Sequence, residues 1–405
     1  LSGSTGNVDF TTQTRSDIDG AIALSGAGTI TLDAATLGAD ATTVGGAIAF
    51  GGAVTLDQTG GTTTISSGTG AGNITFSGAI EDDSAGDTAL SIDAGDADVT
   101  FSSTIGATTA IGALTVLGND LDLSGGNIEA TGDIILVANN PGADAESITF
   151  SGRTIDANGG NVFLSADEII FGTGLASTGA TGTTTVTIVG DTAASTITVA
   201  GGAGSDANLE VSEADLATIG SDFSDVRIGM ASADGTVGGE AQADQSGTIT
   251  INAGDGTLNF SSANLSLRGV AATTTITSAI DTSGASGRTL AVEGTAINLN
   301  SDLTTDAADI SFTGPVTVNK GGATAVGTGA GAGDITFGST LALTSGGADD
   351  LTITAGTGAV TLTGAVTIDD NDLTIASSQN SVVTAGISGS TGNVDFTTQT
   401  RSDID

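Results

Sequence analysis

Apolar residues alternate with small or polar ones along most of the chain. The runs "GTITLD" (28–33), "GNITFSGAI" (72–80), "ADVTFSSTI" (97–105), "DISFTGPVTV" (309–318), "DITFGSTLALT" (334–344) and "AVTLTGAVTI" (359–368) all follow this rhythm. A period of two belongs to an extended strand with one buried face. Gly, Asn, Asp and Ser punctuate the runs, and these are the residues of tight turns. Good helix formers are scarce, with eight Glu, one Lys and one Met in 405 residues. The pattern predicts an almost entirely β protein.

The spacing of the runs carries further information. Phe50, Phe76 and Phe101 recur at nearly equal intervals, and Phe312 and Phe337 repeat the same interval. Phe101 to Phe150 and Phe260 to Phe312 are about twice as far apart and read as two such steps. A longer echo runs between 47–80 and 309–341 and continues from 90–105 to 351–366. A β unit of roughly 25 residues with Gly, Asn and Asp turns predicts a β-solenoid, in which each rung pairs in parallel with the rungs beside it. Four immunoglobulin-like sandwiches of about 96 residues would fill the same length. Pro141 and Pro315 are the only prolines and no linker stands out, which favours the solenoid.

One segment breaks the alternation: "NLEVSEADLATIGSDFSDVRIGM", residues 208–230. Ser212 and Asp215 have capping-box spacing, Leu216 and Ile219 share a helical face, and Gly220 can end the turn. A short helix near 212–219 is expected there, covering the solenoid, with strand resuming at "DVRIGM".

Residues 1–19 return as residues 387–405 with a single change, Leu1 becoming Ile387. Residues 1–386 are therefore expected to be one full period of a tandem-repeated β-solenoid, and 387–405 the start of the next copy in the same phase. About 15 rungs at ~4.8 Å would make a period of roughly 70–75 Å.

Charge narrows the partners. The chain has 47 acidic residues, 39 of them Asp, against seven Lys and Arg, for a net charge of −40. Such a chain repels nucleic acid and anionic membrane surfaces, so no nucleic-acid partner is expected. The uncharged stretch 171–190 is rich in Gly and Thr, too polar for a bilayer, so no membrane insertion is expected either. His and Cys are absent, which removes the usual base, the thiol nucleophile and the soft metal ligands. Trp and Tyr, which would stack on a sugar, are also absent. The expectation is that this is not an enzyme and has no cofactor, calcium excepted. Candidate calcium ligands are Asp93, Asp96 and Asp98 with Asp369, Asp370 and Asp372, since hard cations prefer clustered carboxylate oxygens; solvated turn residues are the competing reading. "GGAGSDANL" (201–209) approaches a calcium-binding nonapeptide, with its large apolar residue one place late and no second copy. "SGTGAGN" and "GTGAGAGD" run straight into strands and read as rung corners, not as phosphate-binding loops.

The rhythm of "AGDITFGSTLALTSGGADDLTITAGTGAVTLTGAVTI" (332–368) resembles the repeats of large filamentous-haemagglutinin-like bacterial exoproteins, and "DFSDVRIGMASADGTVGGEA" (222–241) is similar to a segment recurring there. The resemblance implies a right-handed parallel β-helix, secretion, and an extracellular or cell-surface location. The expected function is a structural subunit of an extracellular bacterial filament or surface fibre, with itself as partner, head to tail. The alternative is the stalk of a large secreted adhesin, with a cell-surface or glycan partner bound by a domain outside residues 1–405.

Overall fold

A computed structural model describes residues 1–11, 16–70, 72–138, 146–180, 183–199, 208–237, 240–253, 256–344, 348–379, 381–389, 391–397 and 402–404. The protein is a β-solenoid of short parallel strands, and it divides into two compact units. One comprises 1–192, 218–224 and 236–241; the other comprises 193–217, 225–235 and 242–405.

In the first unit each rung contributes strands to three ladders. One ladder has eight strands, from Val8–Phe10 through Ile30–Leu32, Ile48–Phe50, Ile74–Phe76 and Val99–Phe101 to Glu168–Ile170. Alternate residues point inward, and register places like on like: Ile74 between Ile48 and Val99, Phe76 between Phe50 and Phe101. The three Phe rings stack, with centroids 4.8 and 5.1 Å apart and planes within 7°. That is the rung spacing itself. All three rings are at most 2% exposed. Phe101 and Phe150 do lie two rungs apart, because Leu121 pairs with both Val99 and Ile148.

In the second unit, two long strands, Asn264–Ile276 and Leu290–Leu299, pair side by side. The next rung splits that span into Ile310–Thr313 and Val316–Val318, and later rungs keep the split. Gly314 sits at the break with φ +131°, where a Cβ would lie 1.8 Å from the Gly294 oxygen. A separate ladder runs from Thr257–Asn259 to Val394–Thr397. Phe260 follows the first strand of that ladder, whereas Phe312 belongs to Ile310–Thr313. Their spacing therefore does not mark two steps of one column, unlike that of Phe312 and Phe337, whose rings stack at 4.5 Å.

Rung length is less uniform than the sequence suggests. Within the eight-strand ladder the shortest step is from Ile30 to Ile48 and the longest from Leu121 to Ile148. Corners absorb the difference and are packed on glycine. A Cβ on Gly28 would lie 2.4 Å from the Gly6 oxygen, one on Gly46 2.1 Å from the Gly28 oxygen, and one on Gly72 2.7 Å from the Gly46 oxygen. Bare backbone lets successive corners nest. The "SGTGAGN" stretch thus carries a corner glycine, Gly72, ahead of Asn73 and the strand Ile74–Phe76.

The helix forms as Glu213–Leu216, with the Ser212–Asp215 capping box closed in both directions. It is shorter than expected. Ile219, assigned to its apolar face from sequence, instead bridges to Leu175. Strand resumes at Asp225–Ile228, as expected. Among the described residues no helix is long and apolar enough to cross a membrane.

Candidate functional site

The abundant Asp and Asn residues have a recurrent position, immediately before a strand. From there the side chain reaches the neighbouring rung. Asn73 Oδ1 accepts from the Asp98 N–H at 3.3 Å, and Asp98 Oδ1 accepts from Asn119 Nδ2 at 3.0 Å and the Asp120 N–H at 3.4 Å. Asp120 Oδ1 then accepts from the Ser147 N–H at 2.9 Å. The second unit repeats this: Asp309 accepts from the Asp334 N–H at 2.8 Å, and Asp334 from the Ala359 N–H at 2.7 Å. Backbone groups leaving the ladder at a corner must find partners, and a short side chain with an acceptor oxygen supplies one. This accounts for the preference for Asp over Glu. Asn does the same work at Asn7, Asn73 and Asn161, so the acceptor and not the charge makes the bond.

The six candidate calcium ligands fall into this scheme. Asp93 is exposed and accepts from the Gly95 N–H in its own turn at 2.9 Å. Asp96 is exposed, and Asp98 is the half-buried inter-rung acceptor just described. Asp369 adopts φ +47° at a bulge. Asp370 is exposed beside Asn371, which is fully buried; Asn371 donates from Nδ2 to the Thr344 oxygen at 2.6 Å and accepts from the Asp349 N–H at 2.8 Å. Asp372 accepts from both N and Nδ2 of Asn393 at 2.9 Å. Residues 201–207 of the nonapeptide-like segment lie outside the described residues.

Among the described residues a different set of three brings its carboxyls together. One oxygen each of Glu146, Asp167 and Asp191 lies within 4.8 Å of the others. Glu146 precedes the strand Ser147–Thr149, and its backbone oxygen accepts from the N–H groups of Asp167 (3.1 Å) and Glu168 (3.0 Å). Register Ser147↔Glu168 stacks these corners one rung apart. Glu146 is 3% exposed, and burial raises its carboxyl above the ordinary range. Asp167 is pushed up to about 7, first by burial, then by a hydrogen bond to Asp191 and the charges of Asp191 and Glu146. Carboxyls this close cannot all be charged without a proton or a cation between them. Separation along the chain hides the triad in sequence. Glu146 and Asp167 share the pre-strand position on successive rungs, a signal that could have paired them; Asp191 follows the strand Thr185–Val189 and carries no such mark.

Cations gather at one place in the second unit. Arg227 Nε donates to Asp225 at 2.8 Å, and Arg268 pairs with Asp234. With Ser266, Leu267, Ala291 and Glu293, the residues Asp225, Arg227 and Arg268 line a cleft of about 270 Å³. Asp234 lies on the 3-10 turn Ser232–Asp234, so the two guanidiniums hold that turn against the sheet. Partly exposed pairs of this kind contribute about 1 kcal/mol or less each. The cluster has no local signature, because Arg227 and Arg268 belong to different strands; only register brings them together, by pairing Arg227 with Ser266.

No family model, curated protein or solved structure matches the chain.

Proposed function

We propose that this chain is a structural segment of an extracellular bacterial filament or surface fibre, extended by continuation of solenoid rungs. One observation carries this reading: the repeated segment forms three short strands in both copies, each paired in parallel with a strand of the neighbouring rung. Residues 1–18 form strands Ser2–Ser4, Val8–Phe10 and Ser16–Ile18. Residues 387–404 form Ile387–Gly389, Val394–Thr397 and Ser402–Ile404. The first copy spreads its strands over three sheets, whereas the first and third strands of the second copy join one sheet; the segment thus keeps its strands but not its place in the rung, and a following period would extend the solenoid from a different face. An open heterologous contact of this kind generates a filament.

The sides of the solenoid suit the role. Among the described residues the exposed large hydrophobics are Leu1, Phe10, Val44 and Ile170, of which two belong to the first rung. Lateral faces so poor in apolar surface resist clumping. The stalk of a secreted adhesin is the second reading. It is favoured by the helix and 3-10 turn of 213–234, which a uniform spacer does not need.

Cryo-electron microscopy of native material tests the proposal. The expected power spectrum has a meridional reflection near ~4.8 Å, the rung spacing. A beaded rod without axial spacing of that size sinks it, and rods ending in a distinct globular domain favour the stalk.

A further inference from the structure

Ser266 and Ala291 put a low floor under one part of the second unit. Register sets Arg227, Ser266 and Ala291 in one column and Arg268 and Glu293 in another. Small side chains beside long ones leave the cleft of about 270 Å³. That is below the range of about 300–1,000 Å³ that holds drug-sized ligands. The charged groups around it are unequally served. Asp225 is satisfied at both oxygens: Oδ2 accepts from Arg227 Nε at 2.8 Å and Oδ1 from Ser266 Oγ at 3.1 Å. Asp234 takes the hydrogen bond of Arg268 Nη1. Among the described residues the Glu293 carboxylate accepts no hydrogen bond and has only Arg268 Nε, at 4.0 Å. Of the Arg227 donors only Nε is hydrogen-bonded, and Nη1 stands 3.8 Å from Asp234. An unused donor fork and an unused carboxylate therefore border one cleft, on rungs either side of the Ser266 rung.

We propose that this cleft binds a small dipolar ion of the α-amino-acid class, with its carboxylate on the Arg227 guanidinium and its ammonium on Glu293. A guanidinium presents parallel N–H donors that match the two oxygens of a carboxylate. Net charge then selects the ligand. Asp225, Asp234 and Glu293 outnumber Arg227 and Arg268, and the whole chain stands at −40, so a plain anion is repelled. A metal ion would meet two guanidiniums. A cation without a carboxylate would leave the Arg227 donors unused. A dipolar ion carries no net charge against the field and satisfies both groups. Two rungs, about 10 Å of ladder, separate the Cα atoms of Arg227 and Glu293, a gap that two long side chains and a small ligand close together. The size of the cleft suits a short side chain, as in alanine or serine. The site lies within the second unit and does not depend on the fibre reading.

Saturation-transfer NMR on the full chain tests this with L-alanine, and with propionate and ethylamine as its two halves. Saturable binding of alanine is expected, and neither half should displace it at equal concentration. Arg227→Gln and Glu293→Gln should each weaken alanine binding by about tenfold or more, the scale of one lost charge-assisted hydrogen bond. Asp302→Asn removes the partner of Lys320 outside the cleft and should leave binding unchanged. The side chains of Arg227 and Glu293 are each 35% exposed, so both variants should keep the circular dichroism spectrum of the parent. Glu293→Asp, which keeps the charge and shortens the reach, gives a second variant at that position and should also weaken binding. The proposal is overturned if alanine shows no saturable binding, if propionate or ethylamine binds as tightly as alanine, or if either R227Q or E293Q binds as the parent does. An equal loss in D302N would also overturn it, by showing that overall charge and not the cleft sets the response.

Discussion

Asp82 and Asp167 belong to the same unit and the same residue type, yet their surroundings are opposite. Asp82 ends the strand Ile80–Asp82 and is 3% exposed. Its Oδ2 accepts from the N–H groups of Asp87 (2.9 Å) and Thr88 (2.8 Å), and Oδ1 from that of Asp83 (3.0 Å). Asp167, half-buried, meets Glu146 and Asp191. One carboxyl organises a corner by collecting donors; the other is crowded by acceptors and takes up a proton. Burial is therefore not what makes an Asp costly in this solenoid. What decides is whether the backbone turns N–H groups toward it.

Replacing Phe76 by Ala sets the scale for both corners, since it removes the middle of a three-ring column. A loss of about 3–5 kcal/mol is expected in urea denaturation. Asp82→Ala should come next, at about 2–3 kcal/mol, because it strands buried N–H groups; a loss below that of an exposed Asp would break the contrast. Asp98→Ala should cost about 1 kcal/mol, while Asp98→Asn should be close to neutral, since Asn already serves at the equivalent Asn73. Equal losses for the two would mean that charge, not the acceptor, holds the corner.

Asp167→Asn should have the smallest effect and the opposite sign. The folded carboxyl titrates near 7 against 3.8 for the unfolded group. The stabilisation from its bound proton is fully present below about pH 4 and is lost as pH rises through 7. D167N should thus stabilise the protein at pH 8, by less than about 1 kcal/mol for a partly solvated group, and should flatten the decline in thermal midpoint between about pH 4 and 7. A profile identical to that of the parent chain would show that the proton is held elsewhere in the triad.

The strands and the Phe columns were legible because inward positions recur with period two and the rungs keep phase over short stretches. The Phe260–Phe312 pairing failed where the long strands Asn264–Ile276 and Leu290–Leu299 intervene between two different ladders. The start of the helix was legible in Ser212 and Asp215; its end was not, because the bridge from Ile219 to Leu175 is a long-range contact with no local signature. The acidic residues were grouped in sequence by adjacency, as Asp93, Asp96 and Asp98. In a solenoid the partners of a pre-strand residue lie a rung away, so Asp98 meets Asn119 and Asp372 meets Asn393. Glu146, Asp167 and Asp191 escaped notice for the same reason.

The pre-strand bonds also have a direction. Asn7 accepts from Thr29, Asn73 from Asp98, Asp98 from Asp120, Asp120 from Ser147, Asp309 from Asp334 and Asp372 from Asn393; in each of these the acceptor stands on the earlier rung. A rung already in place therefore holds out the side-chain oxygen that its successor needs, while its own strand N–H takes up the successor's carbonyl in return, as that of Ile74 takes the oxygen of Asp98. A chain delivered amino-terminus first, through a ribosome or a narrow pore, could wind itself up in the order of its arrival, each coil serving as the mould for the next.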